Sequence, residues 1–399
     1  MNTGKKLTIG ILTGGGDVPG LNPAIRAITV RALREGYRVI GIRKGWEGLI
    51  NIDRDLPPGG QPFCEVLTEE TVNRVGRTGG TFLHTSRTNP SKISTEYLPL
   101  HLREIYQDET NDLTEEVLKN IEYLGIDTLI PIGGDDTLSY AVRLHKEGVP
   151  IVAIPKTMDN DVPGTDYCIG FSTCITRTIE LTHQLRTCAG SHERFLVIEV
   201  FGRYAGFTAL LPTMAGAANR CIIPEHPFSV DRLAELMCED RKVNSSHYSV
   251  ALVSEGAVFC GERVYESGKT DGYGHRKLGG IGDLISERLK DAAPKYNVGR
   301  SVGVINQRLA YLVRCGVPDA MDSIAPMAFG NLALNLILQG ISGRLVVLRH
   351  GQYDDVSLDY IAGRKKLVDI EKFYNPDRLR PRYETFQGMP LFIMTSEED

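Results

Sequence analysis

The chain of 399 residues is long enough for two domains of ordinary size, and its 42% hydrophobic and 24% charged residues are typical of a soluble globular protein. The formal net charge of −5 argues against a broad nucleic-acid-binding or membrane-binding surface, but it does not exclude local basic pockets for a phosphorylated metabolite. No window approaches the roughly 18 apolar residues of a membrane span, so we expect neither a nucleic-acid nor a membrane partner.

The N-terminal residues predict a βαβ unit. A strand over Leu7–Leu12 is followed by a glycine-rich turn over residues 13–20, a helix from about Leu21 to Glu35, and a second strand over residues 37–42. The turn places backbone N–H groups and a helix N-terminus at one point, which suits a phosphate. It matches neither GxGxxG nor GxxxxGK[ST], so a structural turn and a phosphate site both stay open.

The next stretch predicts less regular structure. An irregular segment begins at Trp46–Ile50, and residues 91–124 are expected to form helices that return the chain to the central strands. Between them, residues 76–88 combine a glycine pair with hydroxyl groups, Arg77 and Arg87. Such a loop can hold an anion, but an ordinary loop with solvated arginines fits the same residues.

Residues 127–161 contain the most informative pattern in the chain. The apolar runs LIPI and PIVAI predict two buried parallel strands, each of which ends in a polar loop. Ligands bind outside the carboxyl ends of such strands, so the two loops are expected to meet at one crevice. Their carboxylates are costly together unless a metal or a basic side chain compensates them, which indicates a site for Mg²⁺ and phosphate. The charged residues of the two loops are Asp135, Asp136, Lys156, Asp159 and Asp161.

The second half repeats the strand–turn–helix style and predicts a second α/β unit. We expect a loop over 164–171, a helix over 172–188, strands over 195–200 and 248–253, a helix over 278–290, a strand or strand-to-loop transition over 300–314, a helix over 319–339 and a strand over 344–350. Residues 261–276 are interpreted as an exposed excursion, and the charged tail from about Lys365 as surface structure. The eight cysteines form no CxxC pair, which predicts reduced thiols in a cytoplasmic protein.

These residue types suit phosphoryl transfer to a phosphorylated sugar. Asp159 can accept a proton from a hydroxyl nucleophile, Asp135 can hold Mg²⁺ on donor phosphates, and Glu255 can accept hydrogen bonds from sugar hydroxyls. For any single aspartate a helix cap or turn is the commoner role, but the whole set follows predicted strands, which favours a site. The arginines that can clamp phosphates are Arg87, Arg194, Arg203, Arg308 and Arg314.

The motifs resemble the phosphofructokinases in order and spacing, over residues 7–339. They are GGGDVPGLNPAIR, GGTFLHTSR, GGDD, PKTMDND, FGRYAG and the VSEG segment, of which PKTMDND together with FGRYAG is the most specific. The resemblance implies an α/β fold of two Rossmann-like three-layer α/β/α domains with the active site in the cleft between them. We expect residues 1–170 plus about 308–360 to form the phosphoryl-donor domain, and 171–307 plus about 361–399 the fructose 6-phosphate domain.

The resemblance also implies roles for individual residues. Asp159 would take the proton of the 1-hydroxyl of fructose 6-phosphate, with Lys156, Asp136 and Arg203 as further catalytic residues and Asp135 as the Mg²⁺ contact. The donor would lie on Gly15, Gly16, Arg87, Asp136 and Lys156. The sugar phosphate would lie on Thr157, Met158, Asp159, Arg194, Phe201, Gly202, Arg203, Glu255, Arg308, Tyr311 and Arg314. Because Arg194 would reach over from a neighbouring subunit, a homodimer or homotetramer with a shared active site is expected.

Two positions bear on the donor. ATP-dependent phosphofructokinases usually carry glycine where this chain has Asp136 and Lys156, and this pairing resembles the pyrophosphate-dependent branch. Asp136 would place a carboxylate where the α-phosphate of ATP would lie, and like charges in a poorly solvated site repel by several kcal/mol. The two side chains can instead pair with each other, which would also block a nucleotide. An ATP-dependent kinase and a catalytically silent sugar-phosphate-binding subunit are the alternatives.

The segment LAYLVRCG departs from the LGHIQRGG of the short bacterial enzymes. Tyr311 replaces the histidine, whereas Arg314 keeps the arginine. Arg300 and Arg308 compete as the upstream arginine for the sugar phosphate, and we favour Arg308. Val30 stands where allosteric members carry an effector arginine, so we do not expect the usual nucleotide effector site.

Overall fold

The computed structural model describes residues 7–259, 261–271 and 273–384, with side chains for all of these except residues 267–269. Cys260 and the predicted end of the second domain, residues 385–399, lie outside the described residues. The cysteines within them are free thiols, as expected.

The strands are β1 Thr8–Thr13, β2 Arg38–Ile42, β3 Cys64–Val66, β4 Ile93–Ser94, β5 Thr110–Asn111, β6 Thr128–Gly133, β7 Val152–Pro155, β8 Phe195–Val200, β9 Arg220–Ile222, β10 Ser249–Ser254, β11 Val258–Phe259, β12 Glu262–Arg263, β13 Tyr265–Thr270, β14 Arg276–Leu278, β15 Val304–Arg308, β16 Arg344–Arg349, β17 Gln352–Ser357, β18 Tyr374–Asn375 and β19 Arg380–Pro381. The α-helices are α1 Leu21–Arg34, α2 Trp46–Ile50, α3 Glu69–Val75, α4 Thr114–Tyr123, α5 Asp135–Lys146, α6 Phe171–Ser191, α7 Phe207–Met214, α8 Val230–Val243, α9 Ile281–Tyr296, α10 Met321–Leu338 and α11 Ile370–Phe373.

The larger sheet has seven strands in the order β17-β16-β7-β6-β1-β2-β3. Its inner pairs are parallel, and antiparallel β3 and β17 form the two edges. Strands β6 and β7 are the two predicted apolar runs, and they are parallel neighbours with Ile132 beside Ile154 and Gly133 beside Pro155. Their polar loops therefore leave the sheet side by side, as expected.

Alternate residues of the strands in the larger sheet face two separate hydrophobic clusters. Ile9 and Ile11 of β1 belong to a cluster with α1 and α10, whereas Leu12 belongs to one with α2, α4 and α5. Because both faces are covered by helices, the inner strands are almost continuously apolar. Helix α10 passes a length and composition test for a membrane span, but half of it is buried in the protein, where it packs against α1.

The smaller sheet has four strands in the order β15-β8-β10-β9, and all its pairs are parallel. Helices α6 and α7 pack together beside it, as do α8 and α9. Strands β8 and β10 lie next to each other, so the FGR segment after β8 and Glu255 after β10 leave the sheet at one edge. Two α/β units with parallel sheets confirm the predicted fold class.

Three local predictions were wrong. Residues 91–113 contain short strands and single helical turns, and only Thr114–Tyr123 of the predicted helical stretch forms an α-helix. Trp46–Ile50, predicted to be irregular, is helix α2, because Trp46 and Leu49 are buried against α4 and α5. The tail is not merely surface structure: Lys366 and Tyr374 are almost completely buried.

Candidate active site

The polar loops of the two sheets face each other across a crevice that contains two adjoining pockets. The smaller pocket has a volume of about 160 Å³ and reaches the loops after β1, β6 and β7. The larger has a volume of about 670 Å³ and extends towards β14 and β15. Both are lined by Gly15, Gly16, Arg87, Phe201, Arg203, Glu255, His275 and Arg314.

The loop after β7, residues 157–168, is held rigidly by buried polar contacts. Asn160 adopts a positive φ of 55°, and its side chain donates to the Asp166 carbonyl at 2.9 Å and accepts from the Cys168 amide at 2.8 Å. Lys366 of the tail donates to the Thr165 carbonyl at 2.7 Å. These bonds fix the direction in which the side chains before Asn160 enter the smaller pocket.

Asp159 is the most suitable proton acceptor in the crevice. The Arg203 amide donates to its Oδ2 at 3.3 Å, whereas its Oδ1 is buried without a hydrogen-bond partner among the described residues. Burial raises the pKa of this carboxyl group, although the Arg203 amide opposes the shift. An unpaired buried oxygen is costly unless a ligand satisfies it, so Oδ1 is available to a substrate hydroxyl.

Several further carboxyl groups near Asp159 have raised pKa values. The pKa of Asp161 is raised to about 7 by burial and by the charges of Asp159 and Asp135. Burial and the charge of Asp159 raise the pKa of Glu255 to about 8. For Asp135, burial and the adjacent Asp136 also raise the pKa. Burial and the repulsion between neighbouring carboxylates therefore disfavour the ionised forms of these groups, which is the cost that the sequence indicated.

The acidic residues of the smaller pocket bear on the binding of Mg²⁺. The described residues contain no group of three or more His, Cys, Asp or Glu side chains that could hold a metal ion alone. Asp135 begins helix α5 and lines the smaller pocket beside Asp159. Because Mg²⁺ is often held by one or two carboxylates together with substrate phosphates, the residues fit an ion that is bound jointly with a phosphorylated ligand.

Lys156 and Asp136 do not pair with each other. Lys156 is only 3% exposed, and its Nζ donates to the Gly16 carbonyl at 2.6 Å, directly below the glycine-rich turn. Burial lowers its pKa to about 8, with Arg314 and Arg87 adding to the shift. The mutual pairing that the sequence left open therefore does not occur. Asp136 instead lies 3.0 Å from His275 Nε2.

Three arginines line both pockets. Arg314 donates to Asp17 at 2.9 Å and stacks over the Tyr311 ring at 4.6 Å. Arg203 donates to the Arg276 carbonyl at 3.0 Å. Arg87 is the third arginine that lines both pockets. Their guanidinium groups converge where phosphate oxygens would need bidentate donors. The predicted residues Thr157, Met158 and Phe201 also line the smaller pocket. Gly202, which has a positive φ of 120°, lines neither pocket.

Arg308 lines only the larger pocket. It is paired with three carboxylates: Glu199 at 3.3 Å, Glu266 at 3.1 Å and Asp283 at 3.0 Å. Arg300 is exposed and lines neither pocket.

Arg194 lies elsewhere. It precedes β8, at the opposite end of that strand from the crevice, and its side chain lies near Gly303. The structure does not bring it to the site of its own subunit.

The sequence did not predict the part that residues 265–278 play. Strands β13 and β14 form a hairpin, and we call residues 265–278 the crossing hairpin. Asp271 accepts from Arg87 at 3.1 Å, Tyr273 Oη donates to the Thr88 carbonyl at 2.9 Å, and His275 contacts Asp136. The expected exposed excursion therefore borders the site. Its alternating Asp271, Tyr273 and His275 give no signal of this in the sequence, because the contacts join distant segments.

The family comparison matches the phosphofructokinase model over residues 8–337. A Dictyoglomus thermophilum pyrophosphate–fructose 6-phosphate 1-phosphotransferase is 34% identical over 381 residues, covering 93% of this chain and 99% of its own length. A protein of the same description from Amycolatopsis methanolica is 35% identical, covering 92% and 98%. A Streptomyces coelicolor ATP-dependent 6-phosphofructokinase 3 is also 35% identical, covering 91% and 97%.

Solved structures agree with this fold. A pyrophosphate-dependent phosphofructokinase from Marinobacter aquaeolei superposes with a TM-score of 0.71 at 19% identity, covering 94% of this chain and 88% of its own. Pichia pastoris phosphofructokinase gives a TM-score of 0.70 at 25% identity over 90% of this chain, which spans only 36% of that longer chain. The chain belongs to the phosphofructokinase family. It is accordingly a phosphotransferase.

Proposed function

We propose that this enzyme reversibly transfers a phosphoryl group from pyrophosphate to the 1-hydroxyl of fructose 6-phosphate, giving fructose 1,6-bisphosphate and phosphate. The observation that carries the proposal is the arrangement of Lys156 and Asp136 around one small pocket. Lys156 is buried against the Gly16 carbonyl, and the Asp136 carboxylate borders the same space. The Lys156 ammonium favours a short, highly charged donor, and the Asp136 carboxylate disfavours a longer donor such as a nucleotide.

In this proposal Asp159 acts as the general base. Its free Oδ1 accepts the hydroxyl proton, while the Arg203 amide holds Oδ2. Positioned proton transfer of this kind contributes roughly 10²–10⁴-fold to a rate. In the reverse direction the protonated Asp159 returns the proton to the sugar oxygen. Burial raises the pKa of this carboxyl group, which makes it a stronger proton acceptor.

The donor phosphates are assigned to the loop after β1 and to two basic side chains. Gly15 and Gly16 allow the backbone to approach the phosphates closely, and Arg87 and Lys156 supply positive charge. A Mg²⁺ ion bound at Asp135 would neutralise charge on the transferred group. Phosphoryl transfer depends mainly on such positioning and electrostatic stabilisation, so few side chains need to react chemically.

The sugar phosphate is assigned to the larger pocket. Glu255, which lines both pockets, and Thr157, which lines the smaller one, are assigned to the sugar hydroxyls. Tyr311 and Arg314 line the larger pocket. Arg308 must exchange at least one of its three carboxylate partners to bind a phosphate. Arg194 would come from a neighbouring subunit, so we propose a homodimer or homotetramer in the cytoplasm. The two-domain boundaries given from the sequence are part of the same proposal.

ATP as the donor is the second candidate. It is favoured by the Streptomyces coelicolor relative, whose identity to this chain equals that of a pyrophosphate-named relative. The two candidates are separated by an initial-rate assay with Mg-pyrophosphate and with Mg-ATP at equal concentration. The proposal expects turnover with pyrophosphate and little with ATP. Turnover with ATP and none with pyrophosphate would overturn it.

A further inference from the structure

The crossing hairpin, which lies on one side of the crevice, also contacts the other side through its side chains. It follows β10 to β12, on the side assigned to the sugar, yet two of its side chains reach the opposite loops. Asp271 contacts Arg87, and His275 contacts Asp136. The partners of these two residues are both assigned to the donor.

His275 is held firmly in position by its own turn. Its backbone amide donates to Asp271 Oδ1 at 3.0 Å, and its carbonyl accepts from the Asp271 amide at 3.0 Å. The Tyr273 hydroxyl fastens the turn to the Thr88 carbonyl at 2.9 Å. These bonds hold Asp271, Tyr273 and His275 in place, and His275 lines both pockets of the crevice.

Asp136 needs such a partner. Its side chain is 37% exposed and stands in the first turn of α5, so a carboxylate there can rotate into solvent. The bond from His275 Nε2 at 3.0 Å holds it against the smaller pocket. A hydrogen bond to a charged group has a preferred geometry and a larger energy than a neutral one.

We propose that His275 is a positioning residue for donor selection, which holds the Asp136 carboxylate at the end of the donor pocket, while Asp271 does the same for Arg87. The proposal rests on the proposed function, in which Asp136 disfavours a nucleotide. Donor choice then depends on an element that enters from the sugar side of the crevice. Without His275, the Asp136 carboxylate turns towards solvent and repels a longer donor less. The donor pocket, which Arg87 also lines, then has no fixed carboxylate at its end.

The test compares four purified enzymes: the wild type, His275→Ala, His275→Gln and Glu262→Gln. Glutamine keeps an N–H at about the reach of Nε2, so it should restore the bond that alanine removes. Glu262 is exposed on β12 and lines neither pocket, so Glu262→Gln is the matched control. The values of kcat and KM are measured for pyrophosphate, ATP and fructose 6-phosphate, and thermal melting confirms that each variant is folded.

His275→Ala is expected to lower the pyrophosphate-to-ATP ratio of kcat/KM by roughly tenfold, the effect of one hydrogen bond to a charged group. The change should lie in KM for the donor, with KM for fructose 6-phosphate nearly unchanged. His275→Gln should regain most of the ratio. An unchanged ratio in a folded His275→Ala enzyme, or equal losses in His275→Ala and His275→Gln, would overturn the proposal.

Failure of the proposed function is distinguishable from failure of this inference. If the wild type uses ATP alone, the proposed function is wrong, and the pairing is then tested by adding Asp136→Asn to His275→Ala. Effects on KM for the donor that are clearly less than additive support the pairing. Fully additive effects contradict it.

Discussion

The loop after β7 and the crossing hairpin both border the site, but they are built differently. The loop, residues 157–168, is buried and is held by bonds from Asn160 and Lys366. The hairpin is joined to the opposite loops mainly by side chains at its turn. This difference fits two separate roles in the proposed mechanism: the loop carries the proton acceptor, and the hairpin positions the groups that select the donor.

The largest expected effect comes from the rigid loop. Asp159→Asn keeps the shape of the side chain but removes the proton acceptor, so turnover should fall by roughly 10²–10⁴-fold. Binding of fructose 6-phosphate, measured by calorimetry, should be retained. Asp291→Asn, on the exposed surface of α9, is the control. Unchanged turnover in Asp159→Asn would exclude this residue as the base.

A second change acts on the donor side. The double variant Asp136→Gly with Lys156→Gly removes the repelling carboxylate and the buried ammonium, so pyrophosphate use should fall at least about tenfold and some ATP use should appear. Each donor is measured in the same coupled assay. Loss of pyrophosphate use with no gain of ATP use, in a folded protein, would show that these residues do not select the donor.

Lys156 also offers a way to separate stability from activity. Burial lowers its pKa from 10.5 to about 8, so charging it in the folded state costs about 3 kcal/mol. Lys156→Met should raise the free energy of unfolding by up to this amount below about pH 8, and the gain should vanish as the pH rises through 10.5. Activity should be lost. Denaturant unfolding at pH 7 and 10 checks the sign, and a destabilised variant at pH 7 would contradict it.

The smallest expected effect tests the hairpin. Tyr273→Phe removes the hydroxyl that donates to the Thr88 carbonyl, a bond of about 1 kcal/mol. KM for the donor should rise several-fold while kcat and the melting temperature change little. Tyr353→Phe, an exposed position on β17, is a suitable control. A larger effect on kcat than on donor KM would show that the hairpin contributes to the catalytic step rather than to donor binding.

The sequence predicted the parts of the site that follow strands. The apolar runs before Gly133 and Pro155 predict buried parallel strands, and neighbouring parallel strands bring the loops that follow them together. The positions of Asp135, Lys156 and Asp159 follow from that rule. The sequence also placed the FGR segment and Glu255, because β8 and β10 are neighbours in the second sheet.

The parts of the site that the sequence did not predict depend on contacts between segments that are distant in the chain. Asp271 and Arg87 are 184 residues apart, and His275 and Asp136 are 139 apart, so no local pattern announces either pair. Lys366 is charged and was therefore predicted to be exposed, but two backbone carbonyls satisfy it in the core. The alternative pairing of Asp136 with Lys156, which the sequence left open, does not form, since Lys156 contacts the Gly16 carbonyl and Asp136 contacts His275.

In the proposed reaction the phosphoryl donor releases phosphate, rather than a nucleotide, as its product. The most direct measurement is the reverse reaction, followed by phosphorus NMR with fructose 1,6-bisphosphate, Mg²⁺ and inorganic phosphate. We expect that pyrophosphate and fructose 6-phosphate form without any nucleotide, and that the forward reaction reaches the same equilibrium. A reverse reaction that requires ADP and yields ATP, with no pyrophosphate formed from phosphate, would contradict it.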